Sequence, residues 1–373
     1  ALRWYWGEES LRLRSRAVLN GRPVDSMPLA EQRPLPGWVM AIGNSRLLLS
    51  RSGAGFLIDA GSKALRSKLG ELTASGRLKA IEGIWITHYH DDHTDQAQSL
   101  AGEFRCPVYF ISRLADVLEH PSHYRLPALT ANPITSGKPQ SDGARMRWRE
   151  FHLTFFDFPG QTLYHGGLLV EREDGEKLFF AGDSFTPSGI DDYCLQNRNF
   201  LGEDEGYLYC LRVIERLPRD AWLVNQHVEP TFRFSPEQLA RMRAELRKRR
   251  AVLAELAPWP SPNYAVDENW AAIHPYASRG RPGETVRLRL RIWNHSPRSE
   301  TYRLKWNVPH GWKVREAASR LTVGPHQEAE APVTLIAGTD PSAAGPLRVV
   351  TADVEFAGRR LREWTEALVR VER

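Results

Sequence analysis

Cysteine is scarce. The chain of 373 residues holds three, Cys106, Cys194 and Cys210, odd in number and far apart. That argues against a disulfide framework and against a zinc ribbon, both of which need paired thiols at close spacing. Long apolar runs are also missing: no stretch approaches the roughly 20 residues that cross a bilayer, so the chain reads as soluble. Charge of one sign is not concentrated around any motif. Formal net charge is +5, from 50 Lys and Arg against 45 Asp and Glu. The excess lies late, with 17 Lys/Arg and 11 Asp/Glu between Pro275 and Arg373, and the first 274 residues are close to neutral. A nucleic-acid groove needs clustered cations and is not expected there. Neither a GxSxG elbow nor a P-loop occurs, so nothing indicates a serine nucleophile or a phosphate-binding loop. The first residue is Ala1 and no signal-peptide pattern follows it. The expectation is a start that has been cut or processed, with cytoplasm and bacterial envelope or secretion both open.

The length exceeds what one hydrophobic core usually covers, so two domains are expected. The stretches "LRLRSRAVLN", "WVMAIG", "SRLLLS" and "GFLIDAG" read as strands. A helix follows in "SKALRSKLGELTASG", with Ser62 as its cap and Leu65, Leu69 and Leu72 on one face. Strands then alternate with helices, which predicts an α/β layered core. Ser235 and Pro236 open a long helix to about Leu256, burying Leu239, Met242, Leu246, Leu253 and Leu256. Its "RKRR" at 247–250 reads as a solvated face. The prolines of "APWPSPNYAV" then end the helix. Beyond them, alternating apolar and polar residues predict a small all-β sandwich. The expected domains are 1–258 and 275–373, joined by a linker at 259–274. Trp293, Trp306, Trp312 and Trp364 read as core positions in preference to a glycan platform.

The chemistry concentrates in "IWITHYHDDHTD", residues 84–95, where three histidines and three aspartates follow an apolar run. His88 and His90 are two apart on an extended chain, so both leave the same face and can close on one ion. Asp92 and His93 follow where the chain turns into a helix, aimed at a second ion nearby. Imidazole with carboxylate suits zinc, and iron or manganese accept the same set. One turn cannot enclose two ions, so partners are needed at the ends of later strands. The candidates are His165 in "PGQTLYHGG", Asp183 in "FFAGDS" and His227 in "LVNQHVEP".

Taken in order, Asp59 in "LIDAG", "HYHDDH", "PGQT", "AGDS" and His227 resemble the metallo-β-lactamase superfamily of metal-dependent hydrolases, over roughly residues 35–230. The resemblance implies an αββα sandwich and a two-metal site bridged by water or hydroxide. His88, His90 and a third histidine would bind one metal, while Asp92, His93 and His227 would bind the other. Asp183 would bridge them and Asp59 would orient the ligands. The family usually has Pro-Gly-His-Thr where this chain has Pro159, Gly160, Gln161 and Thr162. His165 is the favoured substitute ligand; otherwise Gln161 binds through its amide oxygen, or the first site is depleted.

Two divalent ions are the implied cofactors, zinc first. The implied reaction is hydrolysis of an ester, thioester, lactone or phosphodiester in a small molecule, with Asp92 handling the proton. The Asp92-His93 pair weighs against a true β-lactamase. A mononuclear iron oxygenase acting on a persulfide and a metal-binding module without turnover are the rivals. The segment after Asp183 is expected to wall the site, with Tyr193, Asn197 and Arg198 either meeting substrate or idle. The carboxyl-terminal part resembles immunoglobulin-like sandwiches appended to bacterial surface proteins, which adds cell-surface or glycan contact to the expectations.

Overall fold

In the computed structural model, residues 16, 20–21, 27–191, 197–339 and 347–372 are described. Most of "LRLRSRAVLN" and Tyr193 lie outside them. The described fold begins with β1 (Glu31–Arg33), followed by an antiparallel meander of β2 (Val39–Ile42), β3 (Ser45–Leu49) and β4 (Ala54–Ile58). Helix α1 (Leu65–Ala74) crosses to β5 (Ala80–Ile86), parallel to β4. Helices α2 (Asp91–Thr94) and α3 (Ala97–Phe104) lead to β6 (Val108–Ile111), and α4 (Ala115–Glu119) leads toward β7 (Gly137–Gln140). These strands make one sheet in the order β2-β3-β4-β5-β6-β7. β4 is buried at every position, as befits a strand in a sheet covered on both faces.

A second meander follows: β8 (Arg145–Trp148), β9 (Phe151–Asp157), β10 (Gly166–Arg172) and β11 (Lys177–Phe180). A small hairpin, β12 (Phe185–Thr186) with β13 (Gly189–Ile190), precedes α5 (Gly206–Arg216). The chain then returns through β14 (Trp222–Val224), parallel to β11, and β15 (Thr231–Arg233). The second sheet runs β1-β15-β14-β11-β10-β9-β8. Trp85 from one sheet meets Phe155 from the other at 4.9 Å between centroids, inside one continuous core. Helix α1 adds Leu65, Leu69 and Leu72 to that core, each worth about 1.5–3 kcal/mol when fully buried. Helices α5 and α6 (Pro236–Leu256) bury Leu208, Leu211, Leu239, Met242 and Leu246 with Phe179 and Leu223 of the second sheet. The layers are therefore αββα, the expected fold class.

Local corrections are informative. Ser62 does not cap α1; Ala64 holds that position and no side chain bonds there. Ser235 does cap α6, in a reciprocal capping box with Gln238. Leu256 is 74% exposed, because the end of α6 runs past the sheet it covers. The stretch read as a linker carries α7 (Asn263–Val266) and a strand, Ala271–His274. That strand pairs with Thr285–Trp293 and belongs to the all-β region. Its short apolar run follows three prolines closely and has no period of its own, so only pairing reveals it.

The all-β region holds a four-stranded and a five-stranded sheet that share one core. In Thr285–Trp293 every second residue, Val286, Leu288, Leu290 and Ile292, turns inward. Trp312 is buried in that core, Trp306 packs against it, and Trp364 is partly exposed. Trp293 packs on the core of the αββα layers.

Candidate metal centre

Strand β5 ends at Ile86 and the chain stays extended through His90, which is the N-cap of α2. Isolated bridges pair His88 with His165 and His90 with Leu129. The two imidazoles therefore leave one face, and His88 Nε2 lies 2.9 Å from His90 Nδ1. Helix α2 then turns Asp92 and His93 toward the same place. Asp91 and Asp92 in its first turn suit the positive helix end. Gly61 is required here: a Cβ on it would sit 2.0 Å from the carbonyl carbon of Asp92.

Asp59 sets the ring tautomers. It sits at the end of β4 with φ +61°, a left-handed conformation that aims its carboxylate inward. Oδ1 accepts from the Thr87 backbone N–H at 2.8 Å, and Oδ2 accepts from the Thr87 hydroxyl at 2.8 Å. Because that hydroxyl donates to Asp59, its oxygen is free to accept from His88 Nδ1, 2.9 Å away. His88 Nε2 is then left with its lone pair facing the site. His93 Nδ1 donates to Asp59 Oδ2 at 3.0 Å, which leaves His93 Nε2 in the same state. The Asn197 side-chain oxygen, 3.2 Å from His90 Nε2, assigns the proton of that ring to Nε2 and the lone pair to Nδ1. Three nitrogens are thus presented as ligands by their outer hydrogen bonds.

Two groups result. His88, His90 and Asp183 offer ligand atoms within 4.8 Å of one another, and so do Asp92, His93 and His227. Asp183, after β11, joins them. Its Oδ2 lies 3.0 Å from His227 Nε2, 3.2 Å from His93 Nε2 and 3.9 Å from His88 Nε2. Asp92 approaches His93 Nε2 at 3.5 Å and His227 Nε2 at 3.4 Å.

Burial would raise the Asp183 carboxyl, but His93, His227 and His88 hold it well below the usual carboxylate range. Burial likewise opposes protonation of His93, and Asp183 and Asp59 outweigh it. Hydrogen bonds to Asp183 and Asp92 raise His227 to about 9. Burial drives His88 the other way, to a strongly depressed value. The carboxylates are therefore a well for positive charge, for which a divalent ion competes with protons. Orphaned atoms agree: His93 Nε2, Asp183 Oδ1 and Gln161 Oε1 are buried without a hydrogen-bond partner. Such atoms are costly unless something satisfies them. In a tetrahedral zinc site with Zn–N of about 2.0–2.1 Å, ligand nitrogens lie about 3.3 Å apart. The imidazole and carboxylate separations are close to that, so this donor set fits divalent metal ions.

The sequence pattern of the Metallo-beta-lactamase superfamily matches residues 41–268. The chain belongs to this superfamily. It is 28% identical over 149 residues to a hydroxyacylglutathione hydrolase of Marinomonas sp. (strain MWYL1), covering 40% of this chain and 48% of that protein. It is also 28% identical over 147 residues to a hydroxyacylglutathione hydrolase of Hahella chejuensis (strain KCTC 2396), covering 39% and 48%. The chain spans about half the length of the curated relatives it matches. Among solved structures, the metallo-β-lactamase with a HARLDQ motif from Cronobacter sakazakii aligns with a TM-score of 0.44 at 19% identity, over 63% of this chain and 98% of that one. The metallo-β-lactamase GOB-18 from Elizabethkingia meningoseptica aligns with a TM-score of 0.44 at 20% identity, over 61% and 93%.

Within this superfamily member, His165 is not where the sequence reading put it. Its ring is stacked on His88 at 4.6 Å between centroids with planes 6° apart. A ligand nitrogen binds in the plane of its ring, and two parallel, separated planes share no ion. Nε2 of His165 instead donates to the Ala181 carbonyl at 3.1 Å. Gly182 permits this, since a Cβ there would lie 2.2 Å from that nitrogen. His165 supports the His88 ring from behind. Gln161 is 1% exposed and its Oε1 is buried without a partner, as is His165 Nδ1, but only the Gln161 acceptor is not tied to a ring stacked flat on His88. Gln161→Ala is therefore expected to lower metal content more than His165→Phe, which keeps a ring behind His88. Metal analysis of the purified variants checks the ranking, and the opposite order would return the third position to His165.

Asn197 and Arg198 are not on an exposed wall of the site. Both are buried, Asn197 against Tyr89 and His90 and Arg198 against Asp267 and Tyr164. Besides Thr87, two contributors escaped the sequence reading. Asn44, in the β2–β3 turn, donates to Asp92 Oδ2 at 2.7 Å. Arg46 is 1% exposed and donates to the carbonyls of Gly43, Ser45, Asn225 and Val228. It ties the turn carrying Asn44 to the loop carrying His227. Burial lowers it to about 10 while Asp59, Asp183 and Glu229 oppose the shift. Its one signal was a cation inside the apolar run "SRLLL".

Proposed function

We propose that this superfamily hydrolase uses two divalent ions, zinc first, to cleave an ester-type bond in a small molecule, with thioesters ahead of lactones and phosphodiesters. The reading is carried by one observation: two adjoining ligand groups that meet at Asp183 Oδ2. The thioester preference rests on the relatives named hydroxyacylglutathione hydrolase, whose named substrate class is an acyl group on a thiol. Two ions, once bound, supply water acidified to near neutral pH and positive charge for the oxygen that becomes anionic.

The residues divide the remaining work by exposure. His88, His90 and Asp183, with Gln161 as the further donor, hold one ion; Asp92, His93 and His227 hold the other. Asp183 is buried and serves only to bind and neutralise charge. The Asp92 side chain is 41% exposed, so it is the carboxylate within reach of substrate. Asn44 donates to its Oδ2 and fixes the carboxylate beside His93 and His227, from where it would pass a proton to the leaving group. His227, whose side chain is 45% exposed, forms the rim beside it.

The test is a panel of thioester, lactone, phosphodiester and β-lactam substrates offered to the protein with added zinc or manganese. Thioester turnover that chelator abolishes and metal restores is the expected result. Turnover of no class by fully loaded protein would leave a binding module, and one iron per chain with oxygen uptake would favour the oxygenase.

A further inference from the structure

We propose that the carboxyl-terminal β region is a working part of the metal centre: a buried cluster of Arg198, Asp267 and His295 holds Asn197 against His90 and so fixes the first ion site. The proposal rests on the metal-centre reading above.

Asn197 Oδ1 accepts from the Tyr89 hydroxyl at 2.9 Å and meets His90 Nε2 at 3.2 Å. That contact sets the His90 tautomer, so the position of Asn197 is a condition for Nδ1 to act as a ligand. Its neighbour Arg198 has φ +63°, which costs a side-chain-bearing residue about 1–3 kcal/mol and persists only when the surroundings hold it. They do. Arg198 Nε and Nη2 donate to the two oxygens of Asp267 at 2.8 and 2.9 Å, and Nη1 donates to the Tyr164 hydroxyl at 3.0 Å. His295, two residues past the strand Thr285–Trp293, donates from Nε2 to Asp267 Oδ2 at 2.7 Å. Phe200 packs its ring on Trp293 at 5.4 Å and on His295 at 4.7 Å. Leu201 N donates to Asn263 Oδ1 at 2.7 Å.

The partners of this short stretch thus come from Asn263 and Asp267, in the segment that leads out of the αββα layers, and from Trp293 and His295 of the all-β region. A buried ion pair is a poor way to gain stability, since desolvation takes back much of the attraction. What a bidentate Arg–Asp pair supplies is a fixed geometry. Here the geometry it fixes is a strained turn one residue from a contact to a ligand imidazole. Asn197, Arg198, Asp267 and His295 are therefore positioning residues, and the β region is more than a spacer.

The test is cobalt titration of the full-length apo-protein, read by d–d absorption and by stoichiometry. Wild type is expected to take up two ions, and the step that His88→Ala removes marks the first site. Asn197→Ala and His295→Leu should weaken that step about 10–100-fold, the usual cost of losing an outer partner of a ligand. The other step should stay within about twofold, a selectivity that general destabilisation would not produce. His295→Gln, which keeps a donor toward Asp267, should restore first-site binding. If His295→Leu does not fold, Arg198→Lys replaces it, keeping the charge and losing the fork. Folded variants that bind both ions as wild type does would overturn the coupling. A wild-type protein that binds no metal would instead remove the functional reading beneath it.

Discussion

Replacing Asp183 with alanine should reduce kcat/KM by about three orders of magnitude or more, because on the proposed two-ion reading both ions would lose the carboxylate between them. Its Oδ2 lies within 3.9 Å of His88, His93 and His227 nitrogens, and the side chain is almost wholly buried. Two divalent ions placed close together repel strongly in a low-dielectric site, and the carboxylate offsets that repulsion. Metal assistance is worth several kcal/mol of transition-state stabilisation, and each 1.36 kcal/mol is a factor of about ten in rate. A loss of about 4 kcal/mol therefore gives a factor of about a thousand. Asp183→Asn keeps the shape and an acceptor oxygen but not the charge, so it should retain more metal than Asp183→Ala and still lose most of the rate. Metal content and steady-state kinetics on the same preparations check both statements. An Asp183→Ala protein retaining a tenth of wild-type activity would remove Asp183 from the centre.

The second large effect concerns stability. Asp267→Asn should cost about 3–5 kcal/mol, the range for leaving one partner of a buried pair uncompensated. Arg198 would remain buried, with the Tyr164 hydroxyl accepting from its Nη1. At roughly 2–4 °C per kcal/mol for a domain of this size, the melting temperature should fall by about 6–20 °C. Burial alone would raise the Asp267 carboxyl, but Arg198 and His295 bring it down to about 2, below its ordinary 3.8. A carboxyl depressed by folding adds stability that is fully present above the unfolded value and disappears as pH falls through the folded one. The gap between wild type and Asp267→Asn should therefore be constant above about pH 5 and narrow between pH 4 and 2. Thermal melts across that range measure it. A gap that widens on acidification would show that Asp267 is not the charged partner.

Much of the fold was legible because it depends on local pattern. The runs "GFLIDAG" and "IEGIWITH" became β4 and β5, and the leucine spacing of α1 and the Ser235-Pro236 start of α6 announced those helices. The strand Ala271–His274 was not legible, since a short run between turns acquires its identity only from the strand it pairs with. The trailing end of α6 misled for the opposite reason: Leu256 continues an apolar period past the sheet that would have covered it.

By itself the sequence determined that candidate ligands crowd a tight turn at 88–93 and that Asp183 and His227 follow later strands. Those are facts of spacing and of the two-residue alternation along an extended chain. Only the tertiary structure decided which groups face one ion. His165 and Gln161 are four residues apart and the sequence favoured His165, but ring planes are set by what packs behind them, and packing turned His165 behind His88. The ring tautomers were decided in the same way, by Asp59, Thr87 and Asn197, whose contacts depend on where separate segments settle. Coordination demands orientation to within a fraction of an ångström, and no local propensity carries that information.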